Sequence, residues 1–169
     1  MEAAICCKSR CKGGADPHGA WGYAAAVGEP FRHRIRVRWS ECDLQGVVFY
    51  ANYLTYFDIA MTELWRSAVT PYGEMNESGA DMMVAEARIA YRGSARFDDE
   101  LDLVVSVTSL GETSMTTALS VERMPAGELL TEGTLRHVFV DTQTMRKRGI
   151  PDEVRAGLRR HVAEAEQPA

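Results

Sequence analysis

Hydrophobic and polar residues divide this chain into stretches of two distinct periods. Phe31, His33, Ile35, Val37 and Trp39 alternate with Arg32, Arg34, Arg36, Arg38 and Ser40. A period of two is the pattern of a strand with one buried face and one wet face. From Tyr53 the period changes. Tyr53, Phe57, Ala60, Met61, Leu64, Trp65 and Ala68 share one side of a helix, and Tyr56 and Ile59 widen that stripe. The spacing predicts a largely enclosed helix over 53–68. Asn52 is placed to cap its start. Pro71, Gly73 and Gly79 then supply turn chemistry.

Alternation returns further on. Met83, Ala85, Ala87, Ile89 and Tyr91 mark a second strand, and Leu101, Leu103, Val105 and Val107 a third. The threonine- and valine-rich residues 113–124 make a fourth, and 129–140 a fifth. Gly111 and the pair Pro125 and Gly127 mark tight turns, which predicts antiparallel hairpins. Pro151 sits at the first turn of a short C-terminal helix with Val154, Leu158 and Val162 on one side. Strand, buried helix, then four antiparallel strands give an α+β class: a five-stranded antiparallel curved sheet wrapped around one long helix.

Residues 1–29 follow neither period. Their glycines (Gly13, Gly14, Gly19, Gly22, Gly28) and alanines read as a flexible N-terminal extension, leaving 30–169 as the folded domain. At 169 residues and 46% hydrophobic, the chain has the size and apolar content of one globular domain. No run approaches the roughly 18 apolar residues of a membrane-spanning helix. Three of the four cysteines, Cys6, Cys7 and Cys11, crowd the N-terminus and only Cys42 lies elsewhere. That is not the spread of a secreted disulfide framework. Cys7, Cys11 and His18 make a poor zinc set, and no metal site is expected. Residues 1–14 lack the apolar core of a secretory signal, so a cytoplasmic location is expected.

The net charge of −5 argues against a general nucleic-acid binder. It is unevenly spread. Residues 39–142 carry six basic and seventeen acidic side chains, whereas Arg146, Lys147 and Arg148 form a basic cluster near the end. An anionic ligand is best sought there. The arginine row of residues 32–38 reads as a solvated strand face.

Several chemistries are excluded by what is missing. There is no G-x-S-x-G nucleophile elbow and no glycine-rich phosphate loop. The four histidines are far apart, and His137, inside the last strand, reads as structural. The informative stretch is 36–58, RVRWSECDLQGVVFYANYLTYFD. It sets one carboxylate, Asp43, after a strand, a flexible point at Gly46, and a helix start near Asn52. The first turn of a helix offers unpaired N–H groups that can polarise a carbonyl. A carboxylate beside it can attack that carbonyl or activate a water. Spacing alone allows a plainer alternative, in which Asp43 merely makes an Asx-turn.

The residues Arg36 and Val37, then Cys42 and Asp43, then 46–53 (GVVFYANY) closely resemble the signature of hotdog-fold acyl-CoA thioesterases of the 4-hydroxybenzoyl-CoA thioesterase type. The stretch 91–99 (YRGSARFDD) resembles the family's segment joining its second and third strands. Residues 138–141 with 146–151 resemble its last strand and exit, so the likeness covers roughly 31–158. It implies an acyl-CoA thioesterase that needs no cofactor. Asp43 matches the catalytic aspartate, acting as nucleophile or general base. Tyr50 matches the position whose backbone N–H meets the thioester carbonyl, and Gly46 the glycine of the active-site turn. Asp58 matches a helix position that in the 4-hydroxybenzoyl enzyme helps recognise the acyl group's hydroxyl, and Arg146 and Arg148 the basic exit that would meet the phosphates of coenzyme A. Glu63 reads as structural.

The family member compared most closely has basic residues in the turn between the third and fourth strands. This chain has Gly111, Glu112, Thr113 and Ser114 there, which leaves an acyl-carrier-protein substrate open. A non-catalytic acyl-CoA-binding protein is the third alternative. A hotdog hydratase is disfavoured, because no histidine lies within 41–60. The resemblance implies a homodimer or homotetramer with the active site between two chains, in keeping with the strand edges such a sheet leaves exposed.

Overall fold

A computed structural model describes residues 28–69 and 72–162. The elements run β1 (Phe31–Arg36), α1 (Asn52–Ala68), α2 (Tyr72–Glu77), β2 (Ala80–Tyr91), β3 (Glu100–Leu110), β4 (Ser114–Arg123), β5 (Glu128–Asp141) and α3 (Asp152–Leu158). The five strands form one antiparallel sheet in the order β1-β3-β4-β5-β2. The hairpins turn where glycine and proline stand, at 111–113 and 124–127. β2 is an edge strand with β5 as its sole strand neighbour among the described residues.

Helix α1 lies in the concave side of this sheet. Tyr53, Tyr56, Phe57, Ala60, Met61, Leu64 and Trp65 are buried along it. They meet Leu101, Leu103 and Val105 of β3, Leu119 and Val121 of β4, and Leu135 and Phe139 of β5 in one core. Each large apolar side chain so enclosed contributes about 1.5–3 kcal/mol. At Gly133 an added Cβ would lie 2.3 Å from the Arg88 carbonyl oxygen and 2.8 Å from the Phe57 ring. Only glycine lets helix, β5 and β2 meet there. Among the described residues no helix is long and apolar enough to cross a membrane.

The arginine row is a solvated strand face, as expected, but an ordered one. Burial along β1 alternates residue by residue. Arg34 grips Asp102 through Nε at 2.7 Å and Nη2 at 3.1 Å. Arg32 bonds Glu122 at 2.8 Å, and Arg36 pairs with Asp98 and Glu100. Carboxylates of β3 and β4 thus occupy charges that could otherwise have met phosphate.

Several expectations need correcting. Ala51, not Asn52, holds the helix cap, and Asn52 is the first helical residue. Its side-chain amide donates instead to the Glu41 carbonyl at 2.8 Å. Pro151 is itself the cap of α3 rather than a residue of its first turn. Val162 lies beyond that helix, bridged in parallel to Val107. The turn expected around Gly73 is the short helix α2, which buries Met75; Pro71 lies outside the described residues. Nor does β2 alternate as read, because residues 83–88 are exposed on both faces.

The expected extension and its cysteines lie outside the described residues, apart from Gly28 and Glu29. Glu29 is tied to the chain's other end: its N–H donates to the Arg160 carbonyl at 3.1 Å, and its carbonyl meets His161 Nδ1 at 2.7 Å.

Candidate active site

The stretch 41–53 folds as a small hooked loop that runs straight into α1. Cys42 and Val48 pair across it as an antiparallel bridge. The Asp43 N–H donates to the Val47 carbonyl at 2.9 Å, and the Gly46 N–H returns to the Asp43 carbonyl at 3.0 Å. This tight reversal needs φ of +74° at residue 46, a left-handed conformation that glycine adopts without the steric cost of a side chain. Glu41 anchors the base of the hook. Its carbonyl accepts from Phe49 N–H at 2.9 Å and Asn52 Nδ2 at 2.8 Å, and its carboxylate from Arg38 N–H at 2.7 Å and the Tyr56 hydroxyl at 2.9 Å.

Asp43 is half-buried at the top of this loop. One carboxylate oxygen, Oδ1, accepts the Gln45 N–H at 2.7 Å, which is the Asx-turn of the plainer alternative. The other oxygen has no protein partner among the described residues. Both readings of Asp43 therefore coexist: the turn fixes one oxygen and aims the carboxylate. It borders a depression of about 390 Å³ that also takes in Val48, Tyr50, Tyr53, Tyr91 and Ser94.

At the far side of the depression the chain enters α1. The N–H groups of Asn52, Tyr53 and Leu54 are already committed to the carbonyls of Phe49, Tyr50 and Ala51. Those of Tyr50 and Ala51 find no acceptor among the described residues. They are the unpaired donors that a helix start presents. Tyr50's own side chain is exposed and packs at a tilt against Phe49, ring centroids 4.5 Å apart. It is the backbone of Tyr50 that is positioned, by the Tyr91 hydroxyl donating to its carbonyl at 3.1 Å. Ala95 locks the other wall: it accepts the Val48 N–H at 2.8 Å and donates to the Tyr53 hydroxyl at 2.9 Å. Tyr91 and Ala95 were legible only as parts of the 91–99 stretch, with no role of their own.

The structure brings Asp43, Gly46 and Tyr50 together, but not the other site residues. Asp58 borders a separate cavity of about 540 Å³ with Met61, Trp65, Met82, Val84 and His137. Arg146 and Arg148 follow β5 beside the start of β2. Ala80 pairs with Asp141 there, whereas Tyr91, at the other end of the strand, borders the Asp43 depression. Eleven residues of strand, about 36 Å, separate the two ends.

The basic end has a contributor that sequence reading missed. The Ile150 N–H donates to the Glu112 carbonyl at 2.9 Å, so the basic segment lies against the turn between β3 and β4. Arg155 reaches over from α3 to the carbonyls of Gly111 at 2.6 Å and Glu112 at 3.0 Å. The turn that lacks basic residues of its own is thus met by Arg155. A helical periodicity alone could not show which turn α3 would cover.

Known proteins resemble this chain along most of its length. A family model described as the thioesterase-like superfamily matches residues 37–158. The acyl-CoA thioesterase YbgC of Haemophilus influenzae is 30% identical over 130 residues, covering 76% of this chain and 93% of that protein. The acyl-CoA thioester hydrolase YbgC of Escherichia coli is 29% identical over 126 residues, covering 73% and 92%. The crystal structure of a hypothetical protein from Thermus thermophilus superposes with a TM-score of 0.70 at 30% identity, covering 77% of this chain and 98% of that one.

Proposed function

Because the chain belongs to the thioesterase-like superfamily and is a thioester hydrolase, we propose that it hydrolyses acyl-CoA at the Asp43 depression. The observation that carries this reading is that Asp43, with one free carboxylate oxygen, and Tyr50, with an uncommitted N–H, border the same depression. The thioester carbonyl oxygen sits at that N–H, which stabilises the negative charge it gains in the transition state. Asp43 either adds to the carbonyl carbon, giving an anhydride that water opens, or takes a proton from the attacking water. In both routes the C–S bond breaks, the thiol leaves and the acid is released. Gly46 holds the turn that sets Asp43.

The basic end of the sheet takes the phosphates of coenzyme A, through Arg146 and Arg148. One chain cannot bring that end to its own Asp43. Two chains can. Antiparallel pairing of two β2 edges about a two-fold axis sets the Ala80 end of one copy beside the Tyr91 end of the other, so each active site is built from both. The exposure of residues 83–88 on both faces supports such a homodimer. Arg155 beside the β3–β4 turn favours coenzyme A over an acyl-carrier protein. The spacing of Asp43 and Asp58 is what supports kinship with the 4-hydroxybenzoyl-CoA type.

The test is thiol release from a panel of acyl-CoAs by the wild type and Asp43→Asn. The variant is expected to lose at least about a hundredfold in kcat, the scale of one lost acid–base or nucleophilic group. Wild-type rates in the variant would sink the assignment. Label found in Asp43 after single turnover in ¹⁸O-water identifies the anhydride route, opened at the aspartyl carbon.

A further inference from the structure

Tyr91 stands where the sheet meets the start of α1, and its surroundings hold it still. It is the last residue of β2 and pairs with Thr131 of β5. Just beyond it, the N–H groups of Arg92 and Gly93 both donate to the Leu130 carbonyl, at 2.8 and 2.9 Å. The Arg92 guanidinium also grips Glu132, with Nε 2.8 Å from Oε1. The Tyr91 ring meets Tyr53 of α1 edge to face, centroids 5.7 Å apart. The Tyr53 hydroxyl is pinned in turn by the Ala95 N–H at 2.9 Å. Strand end and ring together fix where the Tyr91 hydroxyl points.

That hydroxyl donates to the Tyr50 carbonyl at 3.1 Å. The helix itself secures this carbonyl poorly: the Tyr53 N–H comes only to 3.4 Å, beyond the usual span of an N–H···O bond. The peptide before Tyr50 is held better, because the Phe49 carbonyl accepts the Asn52 N–H at 2.9 Å. Tyr50 thus has one peptide fastened by the main chain and the next fastened by Tyr91. Its own N–H, uncommitted beside the Asp43 depression, stays aimed only while both are held. A donor stabilises an oxyanion most when its direction is set beforehand. Burial, then the neighbouring Tyr50 phenol, holds the Tyr91 phenol above the ordinary tyrosine range. It therefore keeps its proton, and remains a donor, near pH 7.

We propose that Tyr91 is a positioning residue for thioester hydrolysis: its hydroxyl locks the peptide after Tyr50 and so keeps the Tyr50 N–H aimed at the thioester carbonyl. The inference rests on the Asp43 reading of the active site and assigns the residue that readies its donor. The Tyr91 ring lines the depression, whereas the hydroxyl works through the main chain. Losing the hydroxyl therefore loosens the donor and leaves the binding surface in place.

The test is Tyr91→Phe, which keeps the ring against Tyr53 and deletes only the hydroxyl. In thiol release from acyl-CoA, kcat should fall about tenfold or more, less than the hundredfold or more for a donor removed outright. KM should change by less than about twofold. Two uncleavable analogues read the donor without turnover. One is a CoA ketone with a methylene in place of the sulfur; the other is the matching thioether, which lacks the carbonyl. Both carry the chain of the acyl group cleaved fastest, or a six-carbon chain if none is cleaved. Calorimetry should find that the wild type binds the ketone more tightly than the thioether. Tyr91→Phe should narrow that gap and bind the thioether as before. An unchanged kcat, an unchanged gap, or an equal loss of affinity for both analogues would overturn the proposal. Should Tyr91→Phe not fold, Tyr91→Met makes the same comparisons. If the wild type cleaves no acyl-CoA, the catalytic reading falls. A gap that narrows in the variant still upholds the hold of Tyr91 on the donor, and no gap in the wild type overturns it.

Discussion

Tyr56 donates its hydroxyl to Glu41 Oε2 at 2.9 Å, and this bond ties the second turn of α1 to the foot of the loop that carries Asp43. Tyr56 is 1% exposed, and burial, then the Glu41 hydrogen bond, raises its phenol well above the ordinary tyrosine range. The proton therefore stays on Tyr56, and Glu41 is the acceptor at any working pH. Glu41 also gathers Arg38, Phe49 and Asn52, so the helix holds the foot of the loop while the turn at Gly46 sets the carboxylate at its top. Tyr56→Phe keeps the ring packing and removes only this bond. The expected cost is about 1.5–3 kcal/mol of stability, as for a hydrogen bond to a charged group. A drop in kcat with little change in KM should accompany it, because the loop is mispositioned while the substrate surface is intact. Urea unfolding and steady-state hydrolysis check both. An unchanged unfolding midpoint would show that the bond carries no such load.

Gly46 isolates the contribution of the turn itself. An added Cβ would meet nothing within 4 Å, so Gly46→Ala introduces no collision and only forces an L-residue to φ of +74°. That conformation costs an L-residue about 1–2 kcal/mol. A loop this exposed can relieve the strain by relaxing its backbone, which moves Asp43 instead of unfolding the domain. Gly46→Ala should lower kcat/KM by about tenfold, equivalent to about 1.4 kcal/mol of transition-state stabilisation, while the melting temperature falls by a few degrees. Gly46→Asn should be the milder variant, since asparagine tolerates positive φ better than alanine. Equal activity in all three proteins would mean that the turn does not set Asp43.

The edge of β2 carries the prediction about assembly. Ala87 lies near the middle of the strand in its exposed stretch. If two β2 edges pair antiparallel, Ala87→Arg brings two guanidinium groups close together across the two-fold axis, and like charges in facing positions destabilise a sheet. Light scattering should find a dimer or tetramer of the wild type and a smaller species of the variant. Hydrolysis should fall with the dimer, because each site needs both copies, while the circular dichroism of the domain is kept. A wild type that is active as a monomer would remove the two-chain site.

How much of this was legible in the sequence follows from what each feature depends on. The helix face and β1 answer to local periodicity, which is set by burial on one side, whereas β3 is buried on both faces over 101–107 and does not alternate as read. Strand β2 read as alternating because Met83, Ala85 and Ala87 are apolar, yet a single chain offers nothing to cover them. Sheet order was not legible. That β2 joins β5 depends on where α1 carries the chain, and no residue in β2 encodes it. The short helix α2 was hidden because six residues with one buried side chain, Met75, show no period. In the site, Asp43, Gly46 and Tyr50 sit within eight residues, so their spacing survives folding. The roles of Tyr91, Ala95 and Arg155 act across long sequence separations and had no local signal. His137 read as a structural histidine, and only the burial of its unpartnered nitrogen in three dimensions singles it out.

That burial makes His137 a determinant of acid stability. Desolvation lowers its pKa from 6.5 in an open chain to about 4 in the folded protein. Between those values the unfolded chain binds a proton that the folded chain refuses, so stability rises with pH across the window. The contribution is fully present above about pH 6.5 and is lost as pH falls towards 4. A shift of this size corresponds to about 3 kcal/mol at most. Asp58 borders the same cavity and Arg66 lies on its rim. His137→Phe removes the histidine part alone. Urea unfolding at several pH values between about 7 and 4.5 should therefore show a steeper loss for the wild type than for His137→Phe, whatever the absolute stability of the variant. Parallel curves for the two proteins would mean that the imidazole takes up its proton equally in both states, and so is not held neutral in the wall of the cavity.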